Sequence, residues 1–160
     1  MDIDWKCLEF EQLDVHTLYQ LLRLRVDVFV VEQQCPYAEL DGLDTQPGTR
    51  HLLGRMSDSG NLAACLRILP PGLVFPEVGL GRFVVAGACR GKGVGHQILE
   101  QAFYQVRQLW PGENILIAAQ VYLKNFYVSH GFTIISRDYV EDGIPHVDMH
   151  LDIHSASPTR

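Results

Sequence analysis

Six consecutive residues, Arg90-Gly-Lys-Gly-Val-Gly95, hold the strongest chemical signal in the chain. They follow an apolar run from Val78 to Val85, which is typical of a strand, and they open an amphipathic segment, which is typical of a helix. Glycines let the backbone approach a ligand closely, and the first N–H groups of a helix attract negative charge. The pattern therefore predicts a phosphate-binding turn that suits a pyrophosphate.

Two common phosphate motifs do not fit this segment. A Walker loop requires a glycine where Ala86 stands and a serine or threonine where Gly93 stands. A dinucleotide-binding fingerprint requires a third glycine at the position of His96 and an acidic residue at the end of a second strand, whereas Glu113 precedes its strand. The pattern that remains is R-x-x-G-x-G.

A tyrosine forms the second chemical feature. Tyr127 stands four residues before the pair Gly131-Phe132, in a segment that follows the apolar run from Asn114 to Ala119. A tyrosine hydroxyl has an ordinary pKa of about 10, so it can protonate a departing thiolate whose ordinary pKa is about 8.5. The alternative role for a helical tyrosine is to pack its ring in the core.

Together these two blocks resemble the GNAT N-acetyltransferase superfamily, in which R-x-x-G-x-G grips the pyrophosphate of acyl-coenzyme A. The resemblance implies acetyl-coenzyme A as the acyl donor, Tyr127 as the general acid and a backbone N–H near Val84 as the donor to the thioester oxygen. The implied coenzyme-binding residues are Phe83, Val84, Val85, Arg90, Gly91, Lys92, Gly93, Val94, Gly95, Gln120, Asn125 and Tyr127.

Hydrophobic patterns around these blocks predict the elements that must position them. We expect strands at 3–10, 49–56, 62–69, 78–85, 114–119, 132–137 and 147–153, and helices at 15–31, 93–109 and around Tyr127. This order implies the GNAT fold, an α/β (α+β) class with a mixed, mostly antiparallel sheet of six to seven strands flanked by helices. Gly79 and Gly81 predict a bulge in the fourth strand. Residues 1–154 are expected to form a single domain, and residues 155–160 a disordered tail.

The first helix, the loop after it and the last hairpin narrow the resemblance to the ElaA-like bacterial branch of the superfamily. The matching segments are Arg25 to Gln33, Cys35-Pro-Tyr37, Asp41-Gly-Leu-Asp44, His51 and Glu141 to His146.

The general base is harder to assign. Some GNAT proteins carry a carboxylate on the fourth strand at the position of Gly79, and Glu77 lies two residues before it. Histidine has an ordinary pKa near 6.5, so we predict His146 as the base, relayed through water to Glu32. The predicted acceptor-binding residues are Asp41, Asp44, His51, Arg82 and Glu141. Asp41, Asp44 and His51, together with Glu32 and His146, would form an anionic rim for an amine, whereas Arg82 would pair with one of the acids or bind an acceptor carboxylate. Each of these could instead be a cap, turn or surface residue.

Composition restricts the partners. A net charge of −6, with no basic stripe, argues against nucleic acid and anionic membranes, and it favours a cationic acceptor. Four scattered cysteines without a C-x-x-C pair indicate neither a metal site nor a redox motif. The N-terminus lacks a secretion signal and no apolar run could span a membrane, so we expect a cytoplasmic protein. We expect it to be a monomer or a homodimer.

The function predicted from these features is transfer of an acetyl group from acetyl-coenzyme A to a primary amine of a small molecule or protein. Two alternatives remain open. The domain could bind acyl-coenzyme A as a sensor without turnover, or it could transfer a longer acyl chain, as acyl-homoserine-lactone synthases do.

Overall fold

A computed structural model describes residues 1–153, in which eight strands form one sheet. The strands are β1 (Ile3–Leu8), β2 (Arg50–Met56), β3 (Leu62–Leu69), β4 (Val78–Val85), β5 (Ile115–Gln120), β6 (Thr133–Ile134), β7 (Tyr139–Glu141) and β8 (Ile144–Leu151). The helices are α1 (Val15–Val26), α2 (Val94–Leu109) and α3 (Lys124–Ser129). A π-helical turn, Asp27–Glu32, continues α1.

The strand order is β1-β2-β3-β4-β5-β8-β6, and β7 also pairs with β8. Every pairing is antiparallel except that of β4 with β5. The connection between those two parallel strands contains α2, because parallel neighbours need a crossover and a helix is the usual one. The crossover places the start of α2 at the end of β4.

Both faces of the sheet are covered by helices. Leu52 packs in the core beneath α2, whereas the next residue, Leu53, packs in the smaller core beneath α1. Successive side chains of a strand point to opposite faces, so this alternation shows that α1 and α2 lie on opposite sides. The larger core contains the apolar stripe of α2, including Ile98, Ala102 and Val106.

Strand β4 carries the irregularity that shapes the site. Val84 pairs with Cys65 and Gly81 pairs with Arg67, so two residues of β4 oppose the single Leu66 of β3. The extra residue is accommodated by Arg82, whose φ is +50°. The bulge therefore lies just after Gly81, one step beyond the predicted glycines.

β4 and β5 separate after Gly79, before the bulge is reached. They pair only through Val78 with Ile115 and Gly79 with Leu116, although β4 continues to Val85 and β5 to Gln120. The later residues of the two strands are therefore not hydrogen-bonded to each other, and their backbone groups border a cleft.

The predicted architecture, a mixed and mostly antiparallel sheet flanked by helices, is confirmed, with local differences. The first helix changes to a π-helical turn after Val26, and the segment predicted as a strand at 132–137 pairs only at Thr133–Ile134. β7 then forms separately on β8, which is why the sheet has eight strands. No helix within residues 1–153 is long and apolar enough to cross a membrane. The predicted tail, 155–160, lies outside the described residues.

Candidate active site

The separated ends of β4 and β5 form the walls of a cleft with a volume of about 930 Å³. The phosphate turn lies at one border, the π-helical turn at another, and the hairpin between β7 and β8 at a third. Fifteen predicted site residues line it, namely Glu32, Asp41, Arg82, Phe83, Val84, Val85, Arg90, Gly91, Gly93, Val94, Gly95, Gln120, Tyr127, Glu141 and His146.

The glycine turn is built as an open backbone site. Gly91 and Gly93 have φ values of +75° and +79°, a region that favours glycine. A Cβ added at either position would meet no protein atom within 4 Å, so the space beside the turn is open. The first helical hydrogen bond runs from Gln97 N to Gly93 O, which leaves the earlier N–H groups of the helix without intrahelical acceptors. The turn can therefore hold an anion through its backbone.

Tyr127 is a buried polar residue of the cleft wall. Its side chain packs edge-on against Phe83, Phe126 and Phe132, and the residue is only 8% exposed. Burial, together with the smaller effect of Tyr122, raises the pKa of Tyr127 well above the ordinary value. The phenol is therefore protonated at neutral pH, which is the state a general acid requires.

Two polar contacts cross from the π-helical turn to the opposite walls. Glu32 accepts hydrogen bonds from Arg90, with Arg90 Nη1 2.8 Å from Glu32 Oε2 and Nη2 3.1 Å from Oε1. Gln33 and Gln120 exchange amide hydrogen bonds of 3.3 and 3.4 Å. Because its carboxylate is held by Arg90, Glu32 is placed to orient that arginine.

His146 lies at the hairpin end of the cleft with a defined tautomer. Its Nδ1 is 2.7 Å from the Ile144 carbonyl, and its ring stacks on Tyr139. Since a carbonyl can only accept, we assign the proton to Nδ1, and in the neutral ring the lone pair is on Nε2. Glu141 and Asp142 are exposed acids of the same hairpin that also line the cleft. This end of the cleft thus combines a base with negative charge.

The acidic loop after α1 is neutralised by arginines. Arg25 contacts Glu39 at 2.9 Å and Asp44 at 2.7 Å, and Arg67 contacts Asp41 at 2.9 Å and Asp44 at 3.1 Å. Arg82, from the bulge, also contacts Asp41, at 3.2 Å, and its guanidinium lies over the ring of Tyr37. We call these six charged residues, Arg25, Glu39, Asp41, Asp44, Arg67 and Arg82, the ion-pair cluster.

Four predicted site residues lie outside the lining of the cleft. Lys92 and Asn125 are exposed surface residues. Asp44 is buried in the ion-pair cluster, and His51 is 1% exposed with Nε2 3.0 Å from the Asp44 carbonyl oxygen. Burial lowers the pKa of His51, so its ring is a neutral core group. In place of the predicted anionic rim, the structure has the charge-balanced ion-pair cluster, which includes Asp44, and His51 is a buried neutral residue bonded to the Asp44 backbone.

Sequence reasoning missed several residues of the cleft. The structure adds Gln33, Tyr37, Arg67, His96 and Asp142 to its lining. Only Arg67 had a usable signal, because an arginine inside the apolar run from Leu62 to Leu69 must find buried acidic partners. Glu77, which lies two residues before the strand position where some GNAT proteins carry a carboxylate, is absent from the lining, and its Oε2 is 3.9 Å from His150 Nε2.

The four cysteines are free thiols. Burial raises the pKa of Cys7 to about 11 and that of Cys65 to about 12, so neither is a thiolate at neutral pH. Cys89, beside the phosphate turn, is buried with its sulfur 3.7 Å from that of Met56. No group of three or more potential metal ligands occurs within residues 1–153.

Comparison with known proteins agrees with this architecture. The family model described as an acetyltransferase (GNAT) domain matches residues 44–153. Protein ElaA of Escherichia coli strain K12 is 41% identical over 154 residues, covering 96% of this chain and 99% of ElaA. An acyl-CoA N-acyltransferase from Pseudomonas aeruginosa superposes with a TM-score of 0.88 and 41% identity, covering 94% of this chain and 99% of that one.

The fold is that of the GNAT acyl-CoA N-acyltransferases, and the chain belongs to that family. Within it, the protein is ElaA-like, because its similarity to ElaA extends over nearly the whole length of both chains. The likeness to the AHL synthase LasI, with a TM-score of 0.77 at 15% identity over 95% of this chain and 90% of LasI, shows the fold alone.

Proposed function

We propose that the protein transfers the acetyl group of acetyl-coenzyme A to a primary amine, with Tyr127 as the general acid and His146 as the general base. The observation that carries this proposal is the combination, in one cleft, of an open glycine turn and a buried, protonated tyrosine. The turn would bind the pyrophosphate, and the unpaired edge of β4 would accept the pantetheine arm as an added strand.

The reaction can be written as a direct transfer. The amine nitrogen attacks the thioester carbonyl carbon, the carbon–sulfur bond breaks, and the departing sulfur takes a proton from the Tyr127 hydroxyl. Before the attack, the bound ammonium gives one proton to His146 Nε2, which releases it to solvent, and the second proton, lost as the amide forms, follows the same route. Backbone N–H groups around the bulge at Arg82 and Phe83 are the candidates for stabilising the carbonyl oxygen. Solvent then reprotonates the tyrosine and receives the proton from His146.

Acceptor binding is assigned to the hairpin end of the cleft. Glu141 and Asp142 lack the arginine partners that balance the ion-pair cluster in the described structure, so they supply the negative charge that a protonated amine needs. Asp41 and Arg82 line the same cleft but balance each other's charge, so they would shape the acceptor site more than they would attract a cation.

We expect acetyl-coenzyme A to stabilise the protein. At a hundredfold excess over the dissociation constant, the free energy of unfolding rises by about 2.7 kcal/mol. For a domain of this size, that increase corresponds to roughly 5–10 °C in the melting temperature. Gly93→Val should abolish the shift, because the only space open to the new side chain is the space the ligand needs. Differential scanning fluorimetry with and without acetyl-coenzyme A measures the shift in melting temperature.

Gly112→Val is the matched control. Gly112 follows α2, has a φ of +90°, and an added Cβ there also meets no atom within 4 Å. Both variants should therefore lose similar stability in the absence of ligand, but only Gly93→Val should lose the ligand-induced shift. A wild-type protein that melts at one temperature with and without saturating ligand would contradict the assignment of the coenzyme.

His146→Gln should lower kcat/KM by roughly 10²- to 10⁴-fold with an identified acceptor, because a general base contributes about that factor. The pH profile of kcat/KM should be recorded for both proteins, because a general base acts only in its unprotonated form, and any acidic limb that the base causes in wild type should be absent from His146→Gln. His150→Gln, on the same strand but outside the cleft lining, is the control. If Glu32→Gln alone removes the limb, the base is Glu32.

A panel of amines assayed for release of free thiol separates the enzyme from a sensor. The apolar part of the cleft wall, which includes Leu69, Val74, Phe75 and Leu80, favours testing longer acyl donors as well. Turnover with acetyl-coenzyme A that exceeds turnover with hexanoyl-coenzyme A would support the acetyl assignment. Tight binding of both donors without turnover of any amine would favour the sensor.

A further inference from the structure

A chain of three ionisable side chains ends at the cleft beside the phosphate turn. His96 Nδ1 is 2.8 Å from His130 Nε2, and His130 Nδ1 is 3.3 Å from Glu100 Oε1. His96 and Glu100 lie one turn apart on α2, and His130 caps the C-terminus of α3. We call these three residues the histidine relay. The proposed reaction uses none of them.

The contacts define where the protons lie. The ionised Glu100 carboxylate can only accept, so we assign a proton to His130 Nδ1. In a neutral His130 ring the Nε2 atom is then an acceptor, which requires His96 to donate from Nδ1. His96 Nε2 is consequently the atom at the end of the relay where one more proton can be added. A cation formed there is balanced by Glu100 through His130.

The surroundings keep the relay ordered and bring its end to the cleft. The rings of Phe103 and Phe126 pack against His130 at 6.2 and 5.0 Å, and Phe126 also lies 4.9 Å from the His96 ring. His96 is exposed and lines the same cleft as Gly93 and Gly95. Glu100 is the acidic member of the relay. Lys92 is exposed in the adjacent turn, and Arg90 is engaged by Glu32.

We propose that His96 is a phosphate-binding residue for the coenzyme, and that the histidine relay supplies its positive charge by taking up a proton when the phosphate binds. The proton moves from the buffer to His96 Nε2, which then donates to a phosphate oxygen, and no other bond changes. This inference rests on the proposed function, because it takes the phosphate to be part of the acyl donor. It assigns the relay a role in coenzyme affinity and none in the acyl transfer step.

Isothermal titration of coenzyme A in two buffers of different ionisation enthalpy tests the proposal, because the difference in binding enthalpy gives the protons exchanged. We expect His96→Gln to bind about tenfold more weakly than wild type, which is the scale of one charge-assisted hydrogen bond at an exposed site. It should also take up fewer protons. Glu100→Gln keeps an acceptor for His130 but removes the balancing charge, so it should reduce proton uptake as well.

Two further ligands and one control variant complete the experiment. Pantetheine lacks phosphate, so it should bind wild type and His96→Gln alike. If His96→Gln also binds 3′-dephospho-coenzyme A more weakly than wild type does, His96 binds the pyrophosphate. If the two proteins bind that ligand equally, His96 binds the 3′-phosphate. His150→Gln loses a histidine that lies 3.9 Å from Glu77, outside the cleft lining, and should match wild type throughout.

The outcomes separate this inference from the proposed function. Equal affinity and equal proton uptake in wild type and His96→Gln would overturn the role of the relay, although coenzyme binding would stand. A loss of affinity in His96→Gln with unchanged proton uptake would also overturn it, since the residue would then act only by contact. Absence of coenzyme binding to wild type would instead contradict the proposed function itself.

Discussion

Replacing Tyr127 by phenylalanine is expected to lower kcat by roughly 10²- to 10⁴-fold while leaving the affinity for acetyl-coenzyme A nearly unchanged. The ring packs against Phe83, Phe126 and Phe132, and phenylalanine preserves those contacts, so the change removes the hydroxyl and little else. Steady-state turnover with an identified amine, together with titration of the coenzyme, measures both quantities.

Two other tyrosines line the cleft and provide controls. Tyr122 is 71% exposed, and Tyr37 lies beneath the Arg82 guanidinium with its pKa raised to about 12, chiefly by burial. Tyr122→Phe and Tyr37→Phe should retain most of the activity. A fully active Tyr127→Phe enzyme would reduce Tyr127 to a packing residue, and a large loss in either control would move the acid to that position. Equal losses of turnover and coenzyme affinity would make Tyr127 a ligand contact.

The parts of the site that the sequence predicts are local. The phosphate turn requires two glycines at positive φ just before a helix, and such a turn is visible within six residues. Strands β3 and β4 likewise have the predicted ends, since each is an apolar run bounded by turn residues. These features can be predicted from a few neighbouring residues, because they depend on local backbone conformation and on the local pattern of apolar residues.

The parts that could not be predicted depend on contacts between distant segments. Gln33 bonds to Gln120 across 87 positions, and Arg90 reaches Glu32 across 58. Acidic residues clustered in a loop suggested an anionic rim, but the arginines that neutralise them come from α1, β3 and the bulge of β4. Net charge along the sequence does not reveal such pairing, because only the fold brings the partners together.

The same cluster yields the largest expected effect on stability. Arg25→Met should lower the free energy of unfolding by about 3–5 kcal/mol, the usual cost of removing one partner from a buried ion pair. Arg25 is 1% exposed, and its loss leaves Glu39 and Asp44 buried with fewer donors. Urea denaturation measures the change. Methionine has a similar unbranched stem, so little packing volume is lost.

Arg23→Met is the matched control on the same helix. Arg23 Nε lies 3.7 Å from Asp27 Oδ2 and both side chains are exposed, so this ion pair contributes about 0–1 kcal/mol. Neutralising the orphaned acids, as in Arg25→Met combined with Glu39→Gln and Asp44→Asn, should recover part of the loss, since it removes the unpaired charges. Equal losses in Arg25→Met and Arg23→Met would show that the buried pairs add nothing to stability.

Acid denaturation gives an independent measure of the cluster. Burial alone would raise the pKa of Asp41, but hydrogen bonds from Arg67 and the Leu43 N–H, with the charges of Arg67 and Arg82, lower it to about 2. Arg25 and Arg67 likewise lower the pKa of Asp44 against its burial. Because the unfolded pKa is about 3.9, this stabilisation is complete above about pH 5 and is lost progressively as the pH falls through about 2.

Arg25→Met should weaken the dependence of unfolding free energy on acid pH. Asp44 then loses Arg25, one of its two arginine partners, and its pKa moves back toward the unfolded value. The slope of unfolding free energy against pH between about 4 and 2 should therefore be shallower in Arg25→Met than in wild type, and unchanged in Arg23→Met. Urea titrations at half-unit pH steps provide the slopes. If Arg25→Met is destabilised by the same amount at every pH, its effect comes from lost packing, and the lowered pKa of Asp44 would owe nothing to Arg25.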